Sequence, residues 1–327
     1  MYQSHQTHLR KCISAGINLK LIHSKNRPTL PEEQNVALAT IGELISSLIM
    51  HNIFTMAGVM GWPVAHSRSP AIHNYWIRQY KLNGAYGLFP VEPNNLEKAI
   101  RGLQALGLAG CNITIPHKVD AMKFMDWVDP LAQRMGAINT IVVQPNGALH
   151  GFNNDGFGFI QSLREAQPAW RADAGPVVVL GAGGAARGIV VSLIDAGATE
   201  IRILNRTYSK ADTLAQEFGV AVTAFHWDER HEALTDAALL VNTTNQGMHG
   251  QPALEIELAR LPTTALVADA IYIPLETPLL EAARRRGNTT VNGLGMLLHQ
   301  ARPAFKAWFG VMPEVTPELR ETIVRTF

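Results

Sequence analysis

The sequence predicts an α/β protein of two domains: an N-terminal α/β domain with a mostly parallel sheet, then a C-terminal Rossmann domain, with a cleft between them. Three observations predict it. At 327 residues the chain is too long for one ordinary core. From about residue 54, strand-like apolar runs alternate with segments of helical period, the order of βαβ units. At Val177, "VVVLGAGGAARG" joins a buried strand to a glycine-rich turn and an apolar helix.

In chain order, "FTMAGVM" (54–60) predicts a strand, and "SPAIHNYWIRQYKL" a helix with Pro70 in its first turn. "AYGLFPV" is a strand, "NNLEKAIRGLQAL" a helix and "GCNITI" a strand. A short helix follows Pro116, and "INTIVVQ" is the next strand. "NNDGFGFIQSLREA" opens the second run as a helix, so the domain boundary falls near residues 152–155. The polar loop "QPAWRADAGP" follows, and strands and helices alternate from "VVVL" onward. "GLGMLLHQARPAFKAWFG" and "TPELRETIVR" are the closing helices.

Residues 1–53 read as an extension ahead of the first unit. Thr29-x-x-Glu32 is a capping pattern, and Ile41, Leu44, Ile45, Leu48 and Ile49 recur at helical spacing, so about 30–50 predicts an amphipathic helix. Glu43 interrupts that run, which is shorter than the roughly 20 apolar residues of a membrane span. The stretch before it lacks signal-peptide order. A start codon assigned too early explains the extension as well as a functional arm does.

Hydrophobic residues make up 47% and charged residues 17%, a globular balance. The net charge of +1 gives no field for nucleic acid or an anionic membrane, which leaves a small molecule or a protein as partner. Two distant cysteines, Cys12 and Cys111, form no disulfide framework, and no Cys/His spacing fits a metal. A reducing cytoplasm is the simple expectation.

In the glycine-rich turn, Gly181 permits the tight bend, Gly183 lets a pyrophosphate reach the backbone, and Ala186 lets the helix pack closely. The helix N-terminus offers free N–H groups to phosphate. The next strand, "EIRILNRT", ends on Asn205-Arg206-Thr207 with Lys210 just beyond. No carboxylate is there for a ribose 2′-hydroxyl, whereas a guanidinium suits a 2′-phosphate. The expected cofactor is NADP(H) rather than NAD(H), and its nicotinamide implies hydride transfer.

Hydride transfer needs one proton managed at the carbonyl oxygen. "GCNITIPHK" places Lys118 past a strand end, and Asp155 lies at the domain junction, where ligand clefts form. A Lys–Asp pair suits a polyol dehydrogenase, with the lysine moving the proton and the aspartate orienting it. Asp155 as a plain helix cap, and Lys118 as a solvated lysine, fit the same letters. In "HSRSP", the Ser67 and Ser69 hydroxyls suit a substrate carboxylate, or merely cap the helix.

The motifs "GWPVAHSRSPAIHN", "GCNITIPHK", "GAINT", "NNDG", "GAGGAARG", "NRT", "VNTT…GM", "DAIYIPLETPLL" and "GLGMLLHQ" occur in one order. With them the chain resembles the shikimate dehydrogenase family from about Met56 to the C-terminus. The resemblance implies reversible NADP-dependent reduction of 3-dehydroshikimate to shikimate. It makes Lys118 and Asp155 the catalytic pair, with Ser67 and Ser69 on the substrate carboxylate. Thr114, Asn139, Tyr272 and Gln300 become substrate contacts, and His117 a bystander. Gly181, Ala182, Gly183, Gly184 and Ala185 hold the pyrophosphate. Asn205, Arg206, Thr207 and Lys210 hold the adenosine end, and Met296 borders the nicotinamide. The closing helices return, so the substrate domain becomes 54–153 with 293–327, and the dinucleotide domain 154–292, in a monomer or homodimer. Asn154 departs from the family's usual Thr beside Asp155, which opens quinate as a substrate. A ligand-sensing regulator that lost catalysis is the reading of another class.

Overall fold

The computed structural model describes residues 54–327; the expected helix at 30–50 and the rest of the extension lie outside them. The first half contains β1 (Thr55–Gly61), α1 (Ser69–Gln79), β2 (Gly84–Pro90), α2 (Leu96–Ala105), β3 (Gly110–Ile113), β4 (Trp127–Val128), α3 (Pro130–Met135), β5 (Thr140–Val143) and β6 (Leu149–Phe152). The predicted short helix after Pro116 is a 3-10 segment, Asp120–Phe124. These strands form one sheet in the order β2-β1-β3-β5-β6-β4. The β1–β2, β1–β3 and β4–β6 pairs are parallel, while β5 runs antiparallel to β3 and β6.

That antiparallel step was absent from the sequence reading. It arises from a hairpin: Gln144 N–H donates to the Ala148 carbonyl, Asn146 accepts from Ala148 N–H, and Gly147 takes a positive φ of 85°. A Pro-Asn-Gly turn is suited to this reversal, because glycine enters the left-handed region at little cost.

The second half contains α4 (Asp155–Ala166), β7 (Val177–Leu180), α5 (Gly184–Asp195), β8 (Ile201–Leu204), α6 (Tyr208–Phe218), β9 (Val222–Phe225), β10 (Leu239–Asn242), β11 (Leu266–Asp269), α7 (Pro278–Arg285) and β12 (Thr290–Val291). Its all-parallel sheet has the order β12-β11-β10-β7-β8-β9. Counted from β7 this is 3-2-1-4-5-6 read from the other edge, the doubly wound order. Strand pleating sends alternate residues to opposite faces. Val177 and Val179 join a core with Ile189, Val190, Phe159 and Leu163, while Val178 and Leu180 join one with Leu240, Val267 and Leu280.

The chain then returns to the first sheet. In α8 (Gly293–Phe309) and α9 (Pro317–Val324), Leu298, Ala301, Phe305, Leu319 and Ile323 share a core with Ala57, Val59, Ile72 and Trp76. Trp308 Nε1 donates to the Ile141 carbonyl at 3.1 Å, which pins α8 to β5. Among the described residues, no helix is long and apolar enough to cross a membrane, and no cluster of His, Cys, Asp and Glu is arranged to hold a metal ion.

Candidate active site

The strand β3 stops at Ile113, and the chain turns as His117 N–H donates to the Thr114 carbonyl at 2.9 Å. His117 is buried, with Nε2 2.7 Å from the Val91 carbonyl; a carbonyl only accepts, so this nitrogen carries the proton. The imidazole thus ties the loop to the end of β2. Ile138 N–H holds the Lys118 carbonyl at 2.9 Å, and Lys118 Nζ donates to Asp155 Oδ2 at 2.6 Å. The two side chains are 30% and 22% exposed, so the pair is shielded yet reachable from solvent.

Asp155 is the first residue of α4, where a carboxylate complements the helix dipole. Its side chain does not cap that helix; it faces Lys118 through Oδ2 and accepts from Asn139 Nδ2 at 2.9 Å through Oδ1. Asn139 Nδ2 also lies 3.4 Å from Gln300 Oε1 on α8. The orientation of the Asn139 amide follows from its other end. Its Oδ1 accepts from Thr140 Oγ1 at 2.9 Å and from Asn154 N–H at 3.0 Å, which fills both lone pairs.

Helix packing sets the position of Gln300. A Cβ on Gly158 of α4 would fall 2.6 Å from the Met296 carbonyl and 2.7 Å from Gln300 Cβ, so only glycine admits this approach of α4 and α8. Met296 is half-buried against the core of the second sheet. Thr114 is half-buried, with its N–H on the Met60 carbonyl at 2.9 Å. In the serine loop, Ser69 N–H donates to Ser67 Oγ at 3.3 Å, and both residues are half-buried. Tyr272 is not in the Lys118 network; its ring lies 5.7 Å from that of Phe327, which in turn faces the Arg68 guanidinium at 5.8 Å.

The glycine-rich turn forms one wall of a cavity of about 170 Å³, lined also by Asn205, Arg206, Trp227 and Thr243 to Gln246. Gly181 has φ of 105°, and a Cβ there would strike Thr243 Oγ1 at 2.5 Å. Gly183 and Gly184 have open space where a Cβ would stand, and both are exposed with Ala185 at the start of α5; Ala182 beside them is half-buried. Asn205 Nδ2 donates to the Thr207 carbonyl at 2.9 Å, shaping the turn after β8. Arg206 and Lys210 are exposed and have no ion-pair partner among the described residues. Open N–H groups at a helix start beside two free cations fit a dinucleotide with a 2′-phosphate.

Three family models match along the chain: "Shikimate dehydrogenase substrate binding domain" at residues 59–141, "Shikimate / quinate 5-dehydrogenase" at 165–253, and "Shikimate 5'-dehydrogenase C-terminal domain" at 293–317. A shikimate dehydrogenase (NADP(+)) of Paramagnetospirillum magneticum is 52% identical over 269 residues, covering 82% of this chain and 98% of the relative. The chain belongs to the shikimate dehydrogenase family. Among solved structures, the shikimate 5-dehydrogenase of Thermus thermophilus in complex with NADP(H) and shikimate is 35% identical, with a TM-score of 0.74 over 84% of this chain and 100% of that one. Quinate dehydrogenase of Corynebacterium glutamicum in complex with NAD is 29% identical, with a TM-score of 0.77 over the same shares.

Within this shikimate dehydrogenase family member, the sequence reading missed Asn112, Thr140, Thr243 and Trp227. Asn112 offered a signal: a carboxamide inside the apolar run of β3, at 6% exposure, demands partners. Asn154, the departure from the family's usual Thr, donates through Nδ2 to Thr140 Oγ1 at 3.0 Å. Its amide nitrogen is therefore engaged within the protein.

Proposed function

We propose that the chain catalyses the reversible NADPH-dependent reduction of 3-dehydroshikimate to shikimate, a step in aromatic amino acid biosynthesis. The observation that carries this reading is the 2.6 Å contact between Lys118 Nζ and Asp155 Oδ2, joined by Asn139 to Gln300 of the returning helix. When bound, the nicotinamide supplies or accepts the hydride. Lys118 gives a proton to the oxygen of the reduced carbonyl, and takes it back in oxidation. Asp155 holds the ammonium in place and takes a substrate hydroxyl, and Asn139 and Gln300 bind further ring oxygens. Ser67 and Ser69 hold the carboxylate, with Thr114 and Tyr272 closing on the ring. Gly181 to Ala185 cradle the pyrophosphate; Asn205, Arg206, Thr207 and Lys210 take the adenosine end, and Met296 lies against the nicotinamide.

In this reading residues 54–153 and 293–327 form the substrate domain, and 154–292 the dinucleotide domain, of a cytoplasmic monomer or homodimer. Asn154 keeps quinate as a second substrate reading, since its carboxamide replaces the family's usual Thr next to Asp155.

A steady-state assay crossing shikimate and quinate with NADP+ and NAD+ tests the proposal. Shikimate with NADP+ gives the highest kcat/KM, and an absence of turnover in all four combinations overturns it. Quinate turnover within tenfold of shikimate establishes the second reading, and none at all disposes of it. Lys118→Ala lowers kcat by about 10² to 10⁴-fold; turnover close to the parent removes the lysine from the chemistry.

A further inference from the structure

Tyr86 lies in the middle of β2 at 4% exposure, and two consecutive residues of α1 are spent on it. His73 stacks on its ring, with centroids 4.1 Å apart and planes within 4°. Asn74 clamps its backbone twice: Nδ2 donates to the Tyr86 carbonyl at 2.9 Å, and Oδ1 accepts from the Tyr86 N–H at 3.0 Å. These contacts account for the "IHN" of the helix motif, which the substrate and cofactor contacts leave unexplained. They fix the ring plane and the strand position, and hence the direction of the hydroxyl.

That hydroxyl donates to Asn112 Oδ1 at 2.6 Å. Burial raises the phenol well above its ordinary pKa, nearby Cys111 adds to this, and a hydrogen bond with the Ser69 side chain opposes it. The phenol therefore remains a donor. With its oxygen taken, the Asn112 amide turns its nitrogen to the far side, donating to the Asn139 carbonyl at 3.0 Å and to Thr140 Oγ1 at 3.1 Å. Thr140 Oγ1 also accepts from Asn154 Nδ2, so both its lone pairs are used. Its single proton goes to Asn139 Oδ1. Each group in the series has one permitted orientation, and the last one aims the Asn139 N–H bonds at Asp155 Oδ1 and Gln300 Oε1. All the linking side chains are buried, where a misdirected amide finds no water to correct it.

We propose that Tyr86 is a positioning residue for the reaction: its hydroxyl sets the Asn112 amide and, through Thr140, makes Asn139 donate to Asp155 beside Lys118. This rests on the shikimate reading of the site for its assay.

Tyr86→Phe removes the hydroxyl and keeps the ring stack and both backbone clamps. The parent is assayed first with shikimate and NADP+; no turnover there is a failure of the functional reading, and the positioning proposal is then overturned with it. Given parent turnover, Tyr86→Phe lowers kcat at least tenfold, leaves the KM for NADP+ within twofold, and melts within a few degrees of the parent. A kcat within twofold of the parent overturns the proposal. So does a loss of kcat matched by an equal loss of NADP+ affinity and a collapsed melt, since that is unfolding rather than positioning. The decisive arm repeats the substitution in Asn112→Ala, where the phenol has no acceptor to set. The tenfold effect disappears in that background if Tyr86 acts through Asn112, and persists in full if it does not. Should Asn112→Ala not fold, Asn139→Ala, followed by single turnover, serves as the second background with the same two outcomes.

Discussion

Arg206 stands at the end of β8 with no carboxylate against it among the described residues, and Lys210 follows one turn into α6. A guanidinium so placed is free to grip a phosphate bidentately, and charge-assisted pairs of this kind are roughly twice as strong as neutral ones. Arg206→Ala is therefore expected to raise the KM for NADP+ about tenfold, a loss near 1.4 kcal/mol. The KM for NAD+ should barely move. Steady-state kinetics with both cofactors check this, and equal changes in the two would place the side chain away from the 2′ position. At this scale the sequence was informative wherever chemistry sits in a contiguous motif. Arg206 was legible because the strand end lacked an acid, and Lys118 because a strand stopped just before it. Asn112 and Thr140 were not legible as a pair. They meet through the antiparallel register of β3 and β5, which no local spacing announces.

The helix α4 is the element on which the site turns, since it begins with Asp155 and packs against both α5 and α8. Its glycines are the reason it fits. A Cβ on Gly156 would overlap Ser192 Oγ of α5, and one on Gly158 would meet the Met296 carbonyl and the Gln300 backbone of α8. Backbone atoms cannot rotate aside, so Gly158→Ala must push the two helices apart. Overpacking of this sort costs about 1–3 kcal/mol, readable as a lower urea midpoint with an unchanged slope. Because Gln300 moves with α8, the KM for shikimate should rise while the KM for NADP+ changes less. A variant with parent stability would show that the helices have slack at this contact. The sequence exposed α4 as a helix through its periodicity. That "DGFGF" is a double helix-packing surface was hidden, because the partners lie more than thirty residues away on one side and more than a hundred on the other.

Across the whole molecule, the acid side of the stability curve carries the contribution of one buried imidazole. His73 is fully buried, and neither ring nitrogen has a hydrogen-bond partner among the described residues. Tyr86, Trp76, Phe305 and Trp308 surround it, an aromatic box with no carboxylate to stabilise an imidazolium. Burial pushes its pKa down to about 3. The unfolded chain takes up this proton near the ordinary value of 6.5 and the folded chain refuses it, so stability falls as pH falls below 6.5. The slope approaches about 1.4 kcal/mol per pH unit for one such site. Glu165 acts in the same direction but later. The hydrogen bond with His299, and then Arg320, holds its carboxylate below the ordinary 4.5 against partial burial, so its contribution survives until the pH falls below that value. Buried Asp269 works the other way: desolvation raises its carboxyl, so it gains stability as pH falls, and the histidine's share is read as the difference between parent and variant from pH 7 to pH 5. In urea unfolding the parent should lose about 2 kcal/mol more over that interval than His73→Phe, which keeps an aromatic ring on Tyr86. Parallel losses in the two proteins would mean that His73 is protonated inside the fold, and that the aromatic box around α1 admits a charge.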